Sequence, residues 1–492
     1  MMEFVSTRGK AKAVGFEDAL LNGMPEDGGL YVPAHIPTVS ASTLASWANL
    51  PFNDLAYEIL SQFIDDGVIP AGDLKELIAK STGTFTHQDI VPVVPLPNHE
   101  NQYLLELFHG PTLSFKDVAM GFLLNCMDYL LKRRNEKVSI IMATTGDTGP
   151  AAAFASCGKQ ETIDCWVLYP RGFISEEQER QITTLGQPNV HAVAVENCPN
   201  GADDLDDVLF DMFDDRDLVK AYNLSSVNSV NWCRVMFQSI HYFYAYFRTV
   251  ENVGDPITFS VPAGAFGNLF AGFLAREMGL PVETFICAQN RNSPLHRLHQ
   301  TGTYERLPLE VTPSNAIDIS LPYNYWRFLY FISGQDHAAL DGWMREMQKT
   351  GRITFDQNML NGIRRGYETA SISDQNTLDT IKHVFETCDG YLLDPHGAVA
   401  VTASLDYARR APKGTKIVSL LTAHPSKFPD VIQKALGSER DLPASALHPS
   451  IEAVRNQFQA VCLIDCPKLK AALVHGLDAS STSRATHGGE QA

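Results

Sequence analysis

The sequence predicts an α/β protein with parallel sheets covered by helices on both faces, and two observations carry that expectation. From about residue 96 to 437, short β-branched runs alternate with longer helical stretches, the pattern of buried parallel strands joined by helical crossovers. Within that region three units share one plan: an apolar strand, a loop of small and hydroxyl residues, then a helix. At 492 residues the chain exceeds one ordinary core, so two or three domains are expected.

Residues 1–95 form a mixed N-terminal α+β extension with helical patterning from Leu44 to Phe63 and from Asp73 to Ser81. It closes in the proline-spaced run Val91-Pro92-Val93-Val94-Pro95-Leu96-Pro97, which reads as a linker or an edge strand because proline cannot donate to a ladder. Residues 96–440 are expected to hold two α/β subdomains with the active site between them, 441–477 a helical segment, and 478–492, which lack apolar periodicity, a disordered tail.

The first unit is the strand Val138 to Ala143, the loop Thr144-Thr145-Gly146-Asp147-Thr148-Gly149, and a helix beginning near Pro150. The second is Ile257 to Val261, the loop Pro262-Ala263-Gly264-Ala265-Phe266-Gly267-Asn268, and a helix from Leu269. The third is Lys416 to Leu421, the loop Thr422-Ala423-His424-Pro425-Ser426-Lys427, and a helix from Phe428. In open α/β sheets ligands gather at the carboxyl ends of strands, where loops feed helix N-termini whose free N–H groups favour anions. One such loop is common punctuation; three together can surround one anionic ligand.

Bulk composition narrows the function classes. A hydrophobic fraction of 45%, a charged fraction of 20% and a mean hydropathy of -0.11 match a globular enzyme, and no apolar run is long enough to span a bilayer. The net charge of -18 disfavours nucleic acid and anionic membranes as partners, which need a basic surface. Much of the acid lies between Asp203 and Asp217, with apolar residues at helical spacing, and reads as an amphipathic helix with a solvated acidic face and no catalytic part. The nine cysteines are scattered without a CxxC pair, so reduced thiols are expected and no metal site. Met1 to Lys10 holds no apolar signal core, and the compartment expected is the cytoplasm.

A lysine taken alone is a surface residue. Lys116, however, lies in Phe108-His109-Gly110-Pro111-Thr112-Leu113-Ser114-Phe115-Lys116-Asp117 with apolar and small residues on both sides, where burial would lower its pKa and free the amine to attack an aldehyde. That segment resembles the cofactor-lysine motif of threonine synthases, fold-type II pyridoxal-phosphate enzymes related to the tryptophan synthase β chain. The likeness extends to Met24 to Pro33, Gln178 to Gly186, Ser314 to Ile319, Asp394-Pro395-His396 and Thr422 to Phe428, in the family's order.

The resemblance implies pyridoxal 5'-phosphate as cofactor, carried by Lys116 beside Phe115. It implies that Gly264, Ala265, Phe266, Gly267 and Asn268 hold the cofactor phosphate through backbone N–H groups, and that the Thr422 hydroxyl faces the pyridine nitrogen. Thr144, Thr145, Asp147 and Thr148 would bind the substrate's carboxylate, and Asn228, Ser229 and Arg234 its phosphate. The activity implied is conversion of O-phospho-L-homoserine and water to L-threonine and phosphate, with a small phosphorylated amino acid as the partner of a monomer or homodimer. Ala265, Gly397, Ser293 and Thr145 depart from the family's usual residues. They keep open a related phospholyase that ends in a 2-oxoacid, or a paralogue acting on a phosphonate analogue. A non-catalytic binding protein is the remote alternative.

Overall fold

The computed structural model describes residues 2–437 and 441–487, with side chains described to residue 480. Two sheets dominate. A six-stranded sheet runs in the order Tyr367–Ser371, Val282–Gln289, Ile257–Pro262, Ile417–Leu421, Gln102–Glu106, Val93–Pro95. Every pairing in it is parallel except the last, where Val93–Pro95 lies antiparallel on Gln102–Glu106. The proline-spaced run is therefore an edge strand, where a missing N–H costs no ladder bond. A five-stranded, wholly parallel sheet runs Cys462–Asp465, Val190–Glu196, Ile163–Pro170, Val138–Ala143, Leu224–Ser225.

The first strand-loop-helix unit belongs to the five-stranded sheet and the other two to the six-stranded sheet, so the loops converge from two layers. Two long helices fill the space that binds them together. Lys116–Arg134 buries most of its residues, and Trp232–Thr249 is buried along nearly its whole length, which explains its run of Trp, Phe and Tyr. The N-terminal extension packs on the second of these: Phe4 and Phe63 lie 6.0 and 6.1 Å from the Trp232 ring. Its helices are Phe16–Asn22, Ala41–Trp47, Phe52–Leu60 and Ala71–Thr82; Pro51 breaks the expected Leu44 to Phe63 stretch into two.

Two terminal expectations differ from the structure. The region 441–477 contains a strand, Cys462–Asp465, which extends the five-stranded sheet beside Val190–Glu196. The helix that follows runs Leu469–His487, past the expected start of a tail at 478, and seats Leu469, Leu473 and Leu477 in the core beside Trp166. Residues 488–492 of that expected tail lie outside the described residues.

Candidate active site

Lys116 is the first residue of its helix, and the loop before it is held by the third unit. Ser114 and Ala423 form an antiparallel bridge, the Phe115 amide donates to Thr422 O at 2.8 Å, and the His424 amide donates to Leu113 O at 3.0 Å. Leu113 adopts φ 62°, a left-handed conformation costly for a leucine, and Phe266 in the second unit's loop adopts φ 65°. The Lys116 amine lies 3.9 Å from the Phe115 ring centroid. The surface it keeps faces an internal cavity, and burial pulls its pKa down to about 7; Asp147 opposes that shift, while Arg234 and Lys427 add to it.

The cavity is lined by Phe115, Lys116, Thr422, the whole Gly264–Asn268 loop, Ser229 and Arg234. The loop turns from strand Ile257–Pro262 into helix Gly267–Glu277 and brings its main chain against the neighbouring loop: a Cβ on Gly264 would stand 2.8 Å from Ile317 Cα. Asn268 closes it with a fixed amide. His241 Nε2 donates to Asn268 Oδ1 at 2.9 Å, and the Tyr242 hydroxyl hydrogen is shared between Asn268 O at 2.9 Å and Oδ1 at 3.0 Å, which leaves Nδ2, among the described residues, as a buried donor without a partner. Burial holds His241 near 3, so it is neutral and its Nε2 carries the hydrogen.

Arg234 completes the anion station. It is 1% exposed; Nη1 donates to Val227 O at 3.2 Å, and Nε has no partner among the described residues. Burial, with no carboxylate to offset it, draws the guanidinium down to about 10. A buried cation, an unpaired amide donor and a turn at a helix N-terminus fit an anionic group such as a cofactor phosphate. The nearby Lys116 amine and the Thr422 hydroxyl fit the cofactor's aldehyde and ring nitrogen.

A second chamber adjoins the first and shares Thr145, Thr148, Ser229, Ala265 and Ile319 with it. Thr144 and Asn228 line this chamber. Thr144 turns its hydroxyl inward to accept from the Gly146 and Gly149 amides, at 3.1 and 2.9 Å, so it shapes the loop. Thr145 and Thr148 face both chambers, at the start of helix Thr148–Ser156. Asp147 lines the first chamber but is engaged: it pairs with Lys427 at 2.8 Å and accepts from Gln178 Nε2 at 2.9 Å.

Several residues have a part in this geometry that the sequence did not assign them. Arg327 and Asn324 reach the Ser229 segment from beneath. His396 donates from Nδ1 to Asp394 Oδ2 at 2.6 Å and accepts the Ala316 amide at Nε2, fixing the loop whose Ala316 carbonyl takes the Thr145 hydroxyl. Gly397 has a steric reason: a Cβ there would stand 2.7 Å from Asp394 Oδ1 and 2.8 Å from Leu421 Cδ2. The acidic helix, Ala202–Asp214, is not solvated all along its acidic face. Asp207 and Asp211 are exposed, but Asp203 and Asp206 line the second chamber, where burial raises Asp206 to about 7 and Asp203 and Asp207 reinforce it. The apolar residues that pin this helix to the sheet, Leu205, Leu209 and Met212, bring that edge inward.

Comparison with known proteins agrees with this geometry. The "Threonine synthase N terminus" family matches residues 3–82, "Pyridoxal-phosphate dependent enzyme" matches 85–423, and "Threonine synthase, C-terminal" matches 397–465. A threonine synthase of Pseudomonas aeruginosa is 38% identical over 447 residues, covering 90% of this chain and 92% of its own. The crystal structure of a pyridoxal-phosphate-bound threonine synthase from Brucella melitensis superposes with a TM-score of 0.86 at 37% identity, covering 96% of this chain and 99% of that one. The yeast threonine synthase structure gives 0.88 at 33% identity, covering 97% and 99%. The fold is that of a fold-type II pyridoxal-phosphate enzyme, and the chain belongs to the threonine synthase family.

Proposed function

We propose that the protein converts O-phospho-L-homoserine and water to L-threonine and phosphate, with Lys116 bearing pyridoxal 5'-phosphate. One observation carries the reading. A buried amine whose pKa is drawn down to about 7 shares its cavity with a cation that no carboxylate neutralises, and an adjoining chamber presents the Thr145, Thr148 and Ser229 side chains beside it.

The bound cofactor would supply an electron sink that acidifies first the α and then the β carbon of the substrate. The remaining work falls to the chain. The Gly264–Asn268 loop would hold the cofactor phosphate through main-chain N–H groups and Asn268 Nδ2, and the Thr422 hydroxyl would serve as a neutral partner for the cofactor ring. Thr145 and Thr148, at a helix N-terminus, receive the substrate carboxylate. Ser229, Asn228 and Arg234 take the substrate phosphate and offset the charge that grows as it leaves. The Lys116 amine, when not bonded to the cofactor, would take a proton from one carbon and return it at another, burial favouring its uncharged, basic form.

No described helix is long and apolar enough to cross a membrane. We further infer a cytoplasmic enzyme, monomer or homodimer, that binds neither nucleic acid nor membrane, in keeping with its net charge of -18.

The test is product identification. Holoenzyme incubated with O-phospho-L-homoserine should release phosphate and L-threonine in equal amounts; phosphate with a 2-oxoacid and no threonine would reject the synthase in favour of a phospholyase.

A further inference from the structure

Beneath the Ser229 segment lies a second buried arginine. Arg327 is 0% exposed, and its guanidinium meets acceptors that carry no charge. Nε donates to Tyr31 O at 3.1 Å, Nη1 to Ser229 O at 3.0 Å and to Asn324 Oδ1, and Nη2 to Val230 O. Burial alone lowers it, to about 9. Such a cation is costly to bury, and here it is offset by carbonyl dipoles from the N-terminal extension, the Ser229 loop and Asn324.

The bond from Arg327 to Asn324 Oδ1 fixes which way the Asn324 amide points. Guanidinium can only donate, so Oδ1 must face it and Nδ2 must face away. Nδ2 then donates to Ser229 Oγ at 2.8 Å and to Ala265 O at 3.1 Å. The Asn324 amide N–H also donates to Ala265 O, at 3.1 Å. Gly267 leaves room for this crossing, since a Cβ there would stand 3.2 Å from both Asn324 Nδ2 and Ser229 Cβ. Asn324 thus ties the Ser229 loop to the Gly264–Asn268 loop.

The consequence for Ser229 is chemical. Its oxygen accepts from Asn324, so its one hydrogen must point elsewhere, and the side chain lies on the wall shared by both chambers. We propose that Asn324, oriented by Arg327, is a positioning residue that makes Ser229 an obligate hydrogen-bond donor toward the substrate's phosphate. The relay favours a phosphorylated substrate over one with a neutral γ-substituent, because a hydrogen bond to a charged acceptor is worth more than one to a neutral oxygen. It rests on the proposed function, which assigns Ser229 to phosphate.

The experiment uses holoenzyme and inorganic phosphate as the probe, by calorimetry and as an inhibitor. Asn324→Ala frees the serine hydroxyl to rotate and should weaken phosphate binding by about tenfold, the worth of one hydrogen bond to a charged group. It should raise KM for O-phospho-L-homoserine by more than it lowers kcat. Asn324→Asp turns an acceptor toward Ser229 Oγ, captures its hydrogen, and should weaken phosphate further than alanine does. In a Ser229→Ala background, Asn324→Ala should change phosphate affinity by less than twofold, since the group it orients is gone. Variants are compared at equal bound cofactor, read by visible absorbance.

Phosphate affinity within twofold of wild type in Asn324→Ala would overturn the proposal. So would losses that simply add in the double variant, which a merely structural role predicts. If Asn324→Asp fails to hold cofactor, the alanine cycle decides alone. If wild type does not bind phosphate at all while Asn324 variants remain folded, the assignment of Ser229 to phosphate has failed and the relay falls with it.

Discussion

Lys427 and Asp147 meet as a buried ion pair, Nζ to Oδ1 at 2.8 Å, with side chains 0% and 2% exposed, and Asp147 lines the cavity that contains Lys116. Lys427 also donates to Thr112 O at 2.9 Å, in the loop that leads to Lys116. Burial by itself would raise the Asp147 carboxyl, but the positive charges around it, Lys427 foremost, outweigh it and hold the group near 2. Two buried lysines therefore face the same region with different states: one amine is paired, the other is near neutrality.

Removing one member of such a pair strands the other. Lys427→Met should destabilise the protein by about 3–5 kcal/mol, and adding Asp147→Asn should restore part of that loss, read by urea unfolding. The sign with pH follows from the depressed Asp147 pKa. The pair's stabilisation is complete above the unfolded value of 3.8 and is lost as pH falls through about 2, so wild type should lose more stability than Asp147→Asn across that window.

Capture of the cofactor by cofactor-free protein should report the state of Lys116. Only the neutral amine attacks an aldehyde, so with a pKa of about 7 the rate should climb up to that pH and flatten above it. An unperturbed lysine would instead keep gaining through pH 9. Stopped-flow absorbance across pH 6–10 distinguishes the two.

Asp206 on the second chamber's wall gives a further pH dependence. Burial raises its carboxyl to about 7, so it is neutral below that pH and carries a negative charge above it. An added negative charge beside a phosphorylated substrate is repulsive, so KM should rise above pH 7. In Asp206→Asn that rise should disappear, as a KM profile at constant ionic strength would show.

Gly264→Ala should weaken cofactor binding by tenfold or more, in order of magnitude, because the new Cβ would meet Ile317 Cα at 2.8 Å and push the phosphate loop off the neighbouring main chain. Fluorescence titration of the cofactor-free protein measures it.

Much of this site was legible in the sequence because its parts are local: a strand, a loop of small residues and a helix start can be read within about a dozen positions. The three loops and the lysine motif are of that kind, and the structure brings Lys116, Gly264, Asn268, Thr422, Ser229 and Arg234 to one cavity. What escaped was long-range. Lys427 meets Asp147 from 280 positions away, and Arg327 reaches Tyr31 from 296. Arg327 did leave a trace, a lone arginine inside Tyr325-Trp326-Arg327-Phe328-Leu329-Tyr330, where an apolar run on a helix foretells a buried cation. The acidic helix misled for the same reason in reverse: helical spacing marks Leu205 and Leu209 as inward, but the chamber edge that admits Asp206 belongs to other segments.

The most direct test of the account is to reduce the holoenzyme with borohydride, digest it, and locate the cofactor by mass spectrometry. The account predicts the label on Lys116, in the peptide containing Thr112-Leu113-Ser114-Phe115-Lys116-Asp117. A label on Lys427, the buried lysine paired with Asp147, or on no lysine at all, would contradict it.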